Sequence, residues 1–262
     1  MEKGKELIRL RDVAKFYQMG EGVVRALNHL DFKVYGGEFV AIMGPSGSGK
    51  STAMNLVGSL DVPTQGSIYL GGHDISEFSE SELAQLRGQK IGFIFQSFNL
   101  IPNLTAKENV ALPMMFQGVD KGERDERAEF LLRLVELNER MDHYPNQLSG
   151  GQMQRVAIAR SLANDPDVLL ADEPTGNLDT KTGNIVMEFL QKLNSEGKTI
   201  IMVTHEHELA EKYASVIYWL KDGQLEKVTK RVGGKFVKIE KKSSDKVKKS
   251  EGKVLKKTKS KI

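Results

Sequence analysis

Apolar positions fall into two rhythms along the chain. Leu7, Arg9, Arg11 and Val13 alternate with apolar neighbours up to Lys15-Phe16-Tyr17, a strand pattern closed by the turn signals Gly20 and Gly22. Val23-Val24 and Leu30–Val34 predict further strands before Gly36-Gly37. Short apolar runs follow at Phe39–Met43, Gly66–Leu70, Ile91–Phe95, Val168–Ala171, Thr199–Val203 and Val216–Leu220. Runs of this length, apolar throughout, suit strands buried on both faces. Between them lie helical patterns at Ser51–Val57, 123–141, Gly150–Ala163, Lys181–Leu193 and His207–Tyr213, with Ala128, Leu131, Leu132 and Val135 on one face. Ser97 to Asn109, with Pro102 and Asn103, reads as irregular chain. Strands alternating with helices predict an α/β fold, a mostly parallel sheet flanked by helices, interrupted by a helical subdomain at about 97–163.

The composition narrows the setting. No apolar run approaches the roughly 18 residues of a membrane span, and MEKGKELIRL at the N-terminus does not read as a signal peptide. With no cysteine among 262 residues, thiolate chemistry and a disulfide frame are excluded. A soluble protein of the cell interior is expected. The net charge of +3 is unevenly spread: residues 221–262 hold 16 Lys+Arg against 5 Asp+Glu, leaving 22 against 30 in residues 1–220. From about residue 229 the apolar pattern fails, and 241–262 reads KKSSDKVKKSEGKVLKKTKSKI. The expectation is a basic, disordered tail over 229–262, either without a specific partner, on anionic lipid, or on nucleic acid or an acidic protein face.

Candidate chemistry begins where Phe39–Met43 ends. Gly44, Pro45, Ser46, Gly47, Ser48, Gly49, Lys50, Ser51 and Thr52 fit GxxxxGK(S/T) between a strand and a helix. Such glycines let backbone N–H groups curl around a phosphate, and the helix that follows adds positive charge at its start. Lys50 is expected on the β- and γ-phosphates and Ser51 on Mg²⁺. Val168–Ala171 delivers Asp172 to the C-terminal edge of the sheet, where it would serve Mg²⁺. Glu173 beside it is placed to polarise an attacking water. Read alone, the pair is as readily an acidic turn before Pro174.

A second phosphate cradle follows. In Leu148-Ser149-Gly150-Gly151-Gln152, Ser149 is a natural N-cap and the glycines expose the first helical N–H groups. One nucleotide has one γ-phosphate, which the first cradle already takes. The economical reading gives the second cradle to the nucleotide of another copy, against the plainer reading of a capped helix with a flexible start.

With these motifs in order, residues 5–228 resemble the nucleotide-binding subunit of an ABC transporter. The resemblance implies a P-loop NTPase of ABC type with an added antiparallel β subdomain, binding ATP and Mg²⁺ and hydrolysing ATP. It implies a head-to-tail dimer with two ATP molecules sandwiched between the P-loop and LSGGQ. On the same basis Tyr17 stacks on adenine, Gln96 senses Mg²⁺ and attacking water, Asp179 of Asn177-Leu178-Asp179 speaks across the dimer, and His205 contacts the γ-phosphate. A zinc reading of His205-Glu206-His207 is poor, since the spacing is i, i+2 and HExxH is absent. FNLIPNLTAKENVALP, GGQMQRVAIARSLANDP and ADEPTGNLD are similar to ATPases of the lipoprotein-releasing, macrolide-exporter and cell-division type. Such subunits pair with separate membrane permeases, which implies a cytoplasmic protein held peripherally at the membrane. A regulatory ATPase of the cell-division branch and a soluble ATPase acting on nucleic acid are the alternatives; no nucleic-acid partner is expected for this single cassette.

Overall fold

The computed structural model describes residues 4–20 and 22–239. Eleven strands and seven α-helices are formed among them. The central sheet has seven strands in the order β11-β10-β9-β3-β8-β7-β6, comprising β3 (Phe39–Met43), β6 (Ile91–Ile94), β7 (Val168–Asp172), β8 (Thr199–Thr204), β9 (Val216–Lys221), β10 (Gln224–Val232) and β11 (Lys235–Ile239). From β9 through β3, β8 and β7 to β6 the pairing is parallel; β10 and β11 add an antiparallel hairpin at the far edge. Because side chains alternate along a strand, each parallel strand feeds two cores. Phe39, Ala41, Met43, Leu169, Ala171, Ile200 and Met202 enter one, and Val40, Ile42, Val168, Leu170, Ile201 and Val203 the other.

The first core is covered by α3 (Ala106–Phe116), α4 (Lys121–Leu134), α5 (Gly150–Ser161), α6 (Thr180–Ser195) and α7 (His207–Tyr213). The second is covered by α1 (Lys50–Val57), α2 (Glu80–Lys90) and an antiparallel sheet of order β2-β1-β4-β5, built from β1 (Glu6–Met19), β2 (Gly22–Tyr35), β4 (Gln65–Leu70) and β5 (His73–Asp74). Tyr218 of β9 pins the two sheets together: its phenol donates to the Lys33 carbonyl at 2.6 Å, and its ring meets Phe32 edge-on at 4.3 Å.

Three departures from the sequence pattern have physical causes. The stretch read as irregular already contains the start of α3, opened by a reciprocal cap between Thr105 and Glu108. Fully buried Asn109 holds the preceding loop through bonds to Ile101, Leu104 and Thr105. The helix expected over 123–141 stops at Leu134, with Glu136 at φ 59° turning the chain. The expected tail boundary near 228 is also corrected: β10 and β11 carry the fold to Ile239. Two of their basic residues pack on the fold, Lys227 over the Trp219 ring at 4.3 Å and Arg231 over Phe236 at 5.0 Å, while Lys230, Lys235 and Lys238 stay exposed. Arg231 also donates to the carbonyls of Glu211, Lys212 and Ala214. Residues 240–262, the remainder of the expected tail, lie outside the described residues.

Candidate active site

Four neighbouring parallel strands end at one edge, and register brings their following residues together. Met43 pairs with Thr204, Asp172 with Val203, and Ile94 with Ala171. The glycine-rich loop after β3, His205 after β8, Glu173 after β7 and Gln96 beyond β6 therefore emerge side by side, at the edge where parallel sheets bind ligands.

The loop fits a phosphate. Gly49 caps α1 at φ 94° with no side-chain hydrogen bond, so the first N–H groups of the helix keep their donors. A Cβ on Gly49 would lie 2.5 Å from the Ala26 carbonyl, and one on Gly44 would strike the Leu220 carbonyl and Ser48. Pro45, Ser46 and Gly47 form the exposed crest, whereas Ser48 is buried with its hydroxyl unpartnered. Lys50 is buried, and its ammonium donates to the carbonyls of Gly44 at 3.0 Å and Pro45 at 2.9 Å. Ser51 and Thr52 open α1, Ser51 exposed.

Asp172 is half-buried; burial, then the charge of Glu173, push its carboxyl above the ordinary range, and Lys50 pulls the other way. A carboxylate in this state is stabilised by a nearby cation. Among the described residues no group of three His, Cys, Asp or Glu side chains could hold a metal. Glu173 takes φ 43°, fixed by its N–H to the Val203 carbonyl at 2.9 Å. Its Oε1 lies 2.9 Å from Nδ1 of His205. The Gln96 amide sits against Gly176, where a Cβ would stand 2.6 Å from Nε2, and the Gln96 carbonyl accepts from Asn177 at 2.9 Å.

The second cradle stands apart. Ser149 caps α5, accepting from the Gln152 N–H at 3.3 Å, while Gln152 Oε1 accepts from the Ser149 N–H at 2.9 Å. Gly150 is nearest to Leu178, Asn177 and Phe98, and a Cβ on Gly151 would strike Thr182. None of these neighbours is shared with Gly44 or Gly49. Asp179 is engaged as the N-cap of α6, accepting from the Thr182 N–H at 3.0 Å and hydroxyl at 2.6 Å. Tyr17, half-buried on β1, hydrogen-bonds Asp61.

Two residues of α5 were not singled out from sequence. Gln154 is fully buried and donates to the Pro174 carbonyl at 2.8 Å, next to Glu173. Arg160 donates to the carbonyls of Phe98 at 2.7 Å and Asn99 at 2.5 Å, two residues with positive φ just beyond Gln96. The available signal was polarity among apolar neighbours: Val156, Ala157, Ile158 and Ala159 are all buried.

Known proteins agree with this architecture. The family described as ABC transporter matches residues 27–176. An uncharacterized ABC transporter ATP-binding protein of Thermotoga maritima is 52% identical over 227 residues, covering 87% of this chain and 97% of that protein. The macrolide export ATP-binding/permease protein MacB of Brucella melitensis is 49% identical over 87% of this chain, which spans only 35% of MacB. A dimeric, post-hydrolysis structure of the cassette MJ0796, a Methanocaldococcus jannaschii protein, bound to ADP and Pi superposes with a TM-score of 0.80, covering 87% of this chain and all of that one at 48% identity. The chain belongs to the ABC transporter family and is an ATP-binding, ATP-hydrolysing cassette.

Proposed function

We propose that this cassette powers a separate membrane permease, of the exporter or lipoprotein-releasing type, by closing head-to-tail on a second copy around two ATP molecules. The observation that carries the reading is the separation of the two cradles. The Gly44–Ser51 loop is lined by Ala26, Leu27 and Leu220, and the Ser149–Gln152 cap by Phe98, Leu178 and Thr182. Each copy thus offers half of two sites, and a similar cassette has been solved as a dimer.

Within one site, Lys50 and the N–H groups of α1 would hold the triphosphate, and Ser51, Gln96 and Asp172 would hold Mg²⁺, which supplies charge neutralisation at the phosphates. Glu173 takes the proton of the attacking water, and His205 orients its carboxylate. Asp179 and the Ser149–Gln152 cap complete the neighbouring copy's site. The apolar groove between α2, β6 and α3, lined by Leu60, Ile91, Phe93, Leu112 and the largely exposed Phe116, receives the permease. Ile91, Phe93 and Pro113 of this groove also line a cavity that reaches Phe95 and Asn99, on either side of Gln96, so closure at the nucleotide reaches the membrane partner through that loop and the helical block. Among the described residues no helix is long and apolar enough to cross a membrane.

The test is twofold. Phosphate release per chain should rise with protein concentration, because two copies make the site; a specific rate independent of dilution overturns the composite site. Affinity capture from detergent-solubilised membranes of the source cell should retain a multi-spanning protein, and its loss in a Phe116→Asp variant locates the groove.

A further inference from the structure

Asp61 lies outside every motif, in the turn that follows α1, yet three groups converge on it. The Tyr17 phenol donates to its Oδ2 at 2.7 Å, the Lys15 ammonium to its Oδ1 at 2.6 Å, and the Val62 N–H to the same Oδ1 at 2.8 Å. Lys15 also donates to the Val62 carbonyl at 2.8 Å and stands 5.0 Å from the centroid of the Tyr17 ring. Thr64 extends the seam: its N–H donates to the Ala14 carbonyl at 2.8 Å, and its hydroxyl accepts from the Phe16 N–H at 3.0 Å. The segment Asp61–Thr64 is therefore stitched to Ala14–Tyr17 along its length.

This seam ties β1 at Tyr17 to the chain that leaves α1. α1 begins at the phosphate loop and ends at Val57, three residues before the Leu60-Asp61 turn. Tyr17 is the residue read as the platform for the adenine base. We propose that Asp61 is a positioning residue for ATP binding, which locks the Tyr17 ring at a fixed tilt and distance from the phosphate cradle. A hydrogen bond to an ionised carboxylate is stronger than a neutral one and fixes the ring's rotation, which its two side-chain torsions otherwise leave free. Lys15 balances the carboxylate and occupies one face of the ring, leaving the opposite face for the base. The charge states support the geometry. Burial acts against the Asp61 carboxylate, but the bonds from Lys15 and Tyr17 hold its pKa below the ordinary value. Burial and then the bond to Asp61 raise that of the Tyr17 phenol, so it stays a donor.

The inference rests on Tyr17 being the platform, and the experiment separates the two. Binding of Mg-ATP and of Mg-tripolyphosphate to the full chain is measured by calorimetry for Asp61→Ala, Asp61→Asn, Tyr17→Phe, Tyr17→Ala and the Asp61→Ala/Tyr17→Phe double variant, with kcat and KM alongside. Asp61→Ala and Tyr17→Phe should each weaken ATP binding by about tenfold, and the double variant by no more than the larger single effect. Asp61→Asn, which keeps an acceptor, should recover most of the loss. The changes should fall on KM, with kcat and tripolyphosphate binding unmoved. If Tyr17→Ala weakens ATP while Asp61→Ala and Tyr17→Phe do not, Asp61 has no positioning role. Additive effects, or an equal loss for tripolyphosphate, also overturn it. If Tyr17→Ala leaves ATP affinity intact, the platform reading itself fails.

Discussion

His205 and Glu173 face each other across the C-terminal edges of β8 and β7, with Nδ1 of the imidazole 2.9 Å from Oε1 of the carboxylate. Glu173 is only partly exposed and its backbone is held at φ 43°. A carboxylate with a fixed backbone and one oxygen engaged leaves its other oxygen for water. Replacing Glu173 with Gln keeps the shape but removes the proton acceptor, so steady-state phosphate release should fall by about a hundredfold or more, while ATP binding persists. An unchanged turnover would mean that the base lies elsewhere. His205→Ala should lower turnover as well, through the lost orientation of Glu173, and leave affinity for ATP close to that of the parent.

Asp172 carries a pH signature of opposite sign to a salt-bridged carboxylate. Its pKa is raised above the ordinary 3.8 by burial and by Glu173. The folded protein therefore holds that proton to higher pH than the unfolded chain, and ionisation at this position costs stability. The cost is absent below 3.8, grows as pH rises, and is complete above the raised value. Asp172→Asn should thus melt at a higher temperature than the parent at neutral pH without nucleotide, the gap closing as pH falls towards 3.8. In Mg-ATP the order should reverse, because the parent gains a ligand that the variant lacks. Paired thermal melts across pH, with and without Mg-ATP, check both halves.

The glycine-rich loop tolerates no side chain at Gly49. It holds φ 94°, and a Cβ would press on the Ala26 carbonyl at 2.5 Å and on Leu27 at 2.8 Å. Gly49→Ala should cost about 1–3 kcal/mol of stability from the backbone conformation alone and distort the N-terminus of α1, abolishing ATP binding. Denaturant melts give the first effect and calorimetry the second.

The parallel core and its site were legible for one reason: strands buried on both faces leave unbroken apolar runs, and register alone carries Met43, Ala171 and Thr204 to a common edge. The glycine-rich loop, Asp172, Glu173 and His205 follow those runs directly, so local sequence located them. α2 and α3 left weaker traces, because their signal lies in the reciprocal caps Ser79/Glu82 and Thr105/Glu108 and not in an apolar stripe. The β10–β11 hairpin was hidden by its charge: Lys227 and Arg231 spend their side chains on Trp219, Phe236 and backbone carbonyls, contacts that composition does not encode. Asp61 was invisible for a related reason, since its partner Tyr17 is distant in sequence, and Gln154 showed only as a polar residue in an apolar stretch, with no sign of its partner Pro174.

The separation of the two cradles leads to a complementation experiment. Lys50→Ala removes the ammonium that closes the phosphate loop, and Ser149→Arg removes the cap of α5 and fills the space beside Gly150. Each variant alone should hydrolyse ATP at a small fraction of the parent rate, because a dimer of either lacks one half of both sites. In a mixed dimer, the Ser149→Arg copy brings an intact loop and the Lys50→Ala copy an intact cap, so one site of the two is whole. Mixing the inactive proteins should therefore restore measurable phosphate release, rising with the concentration of either and absent when both substitutions sit in one chain. A cassette that acted alone would stay inactive on mixing, since no exchange of halves could repair it.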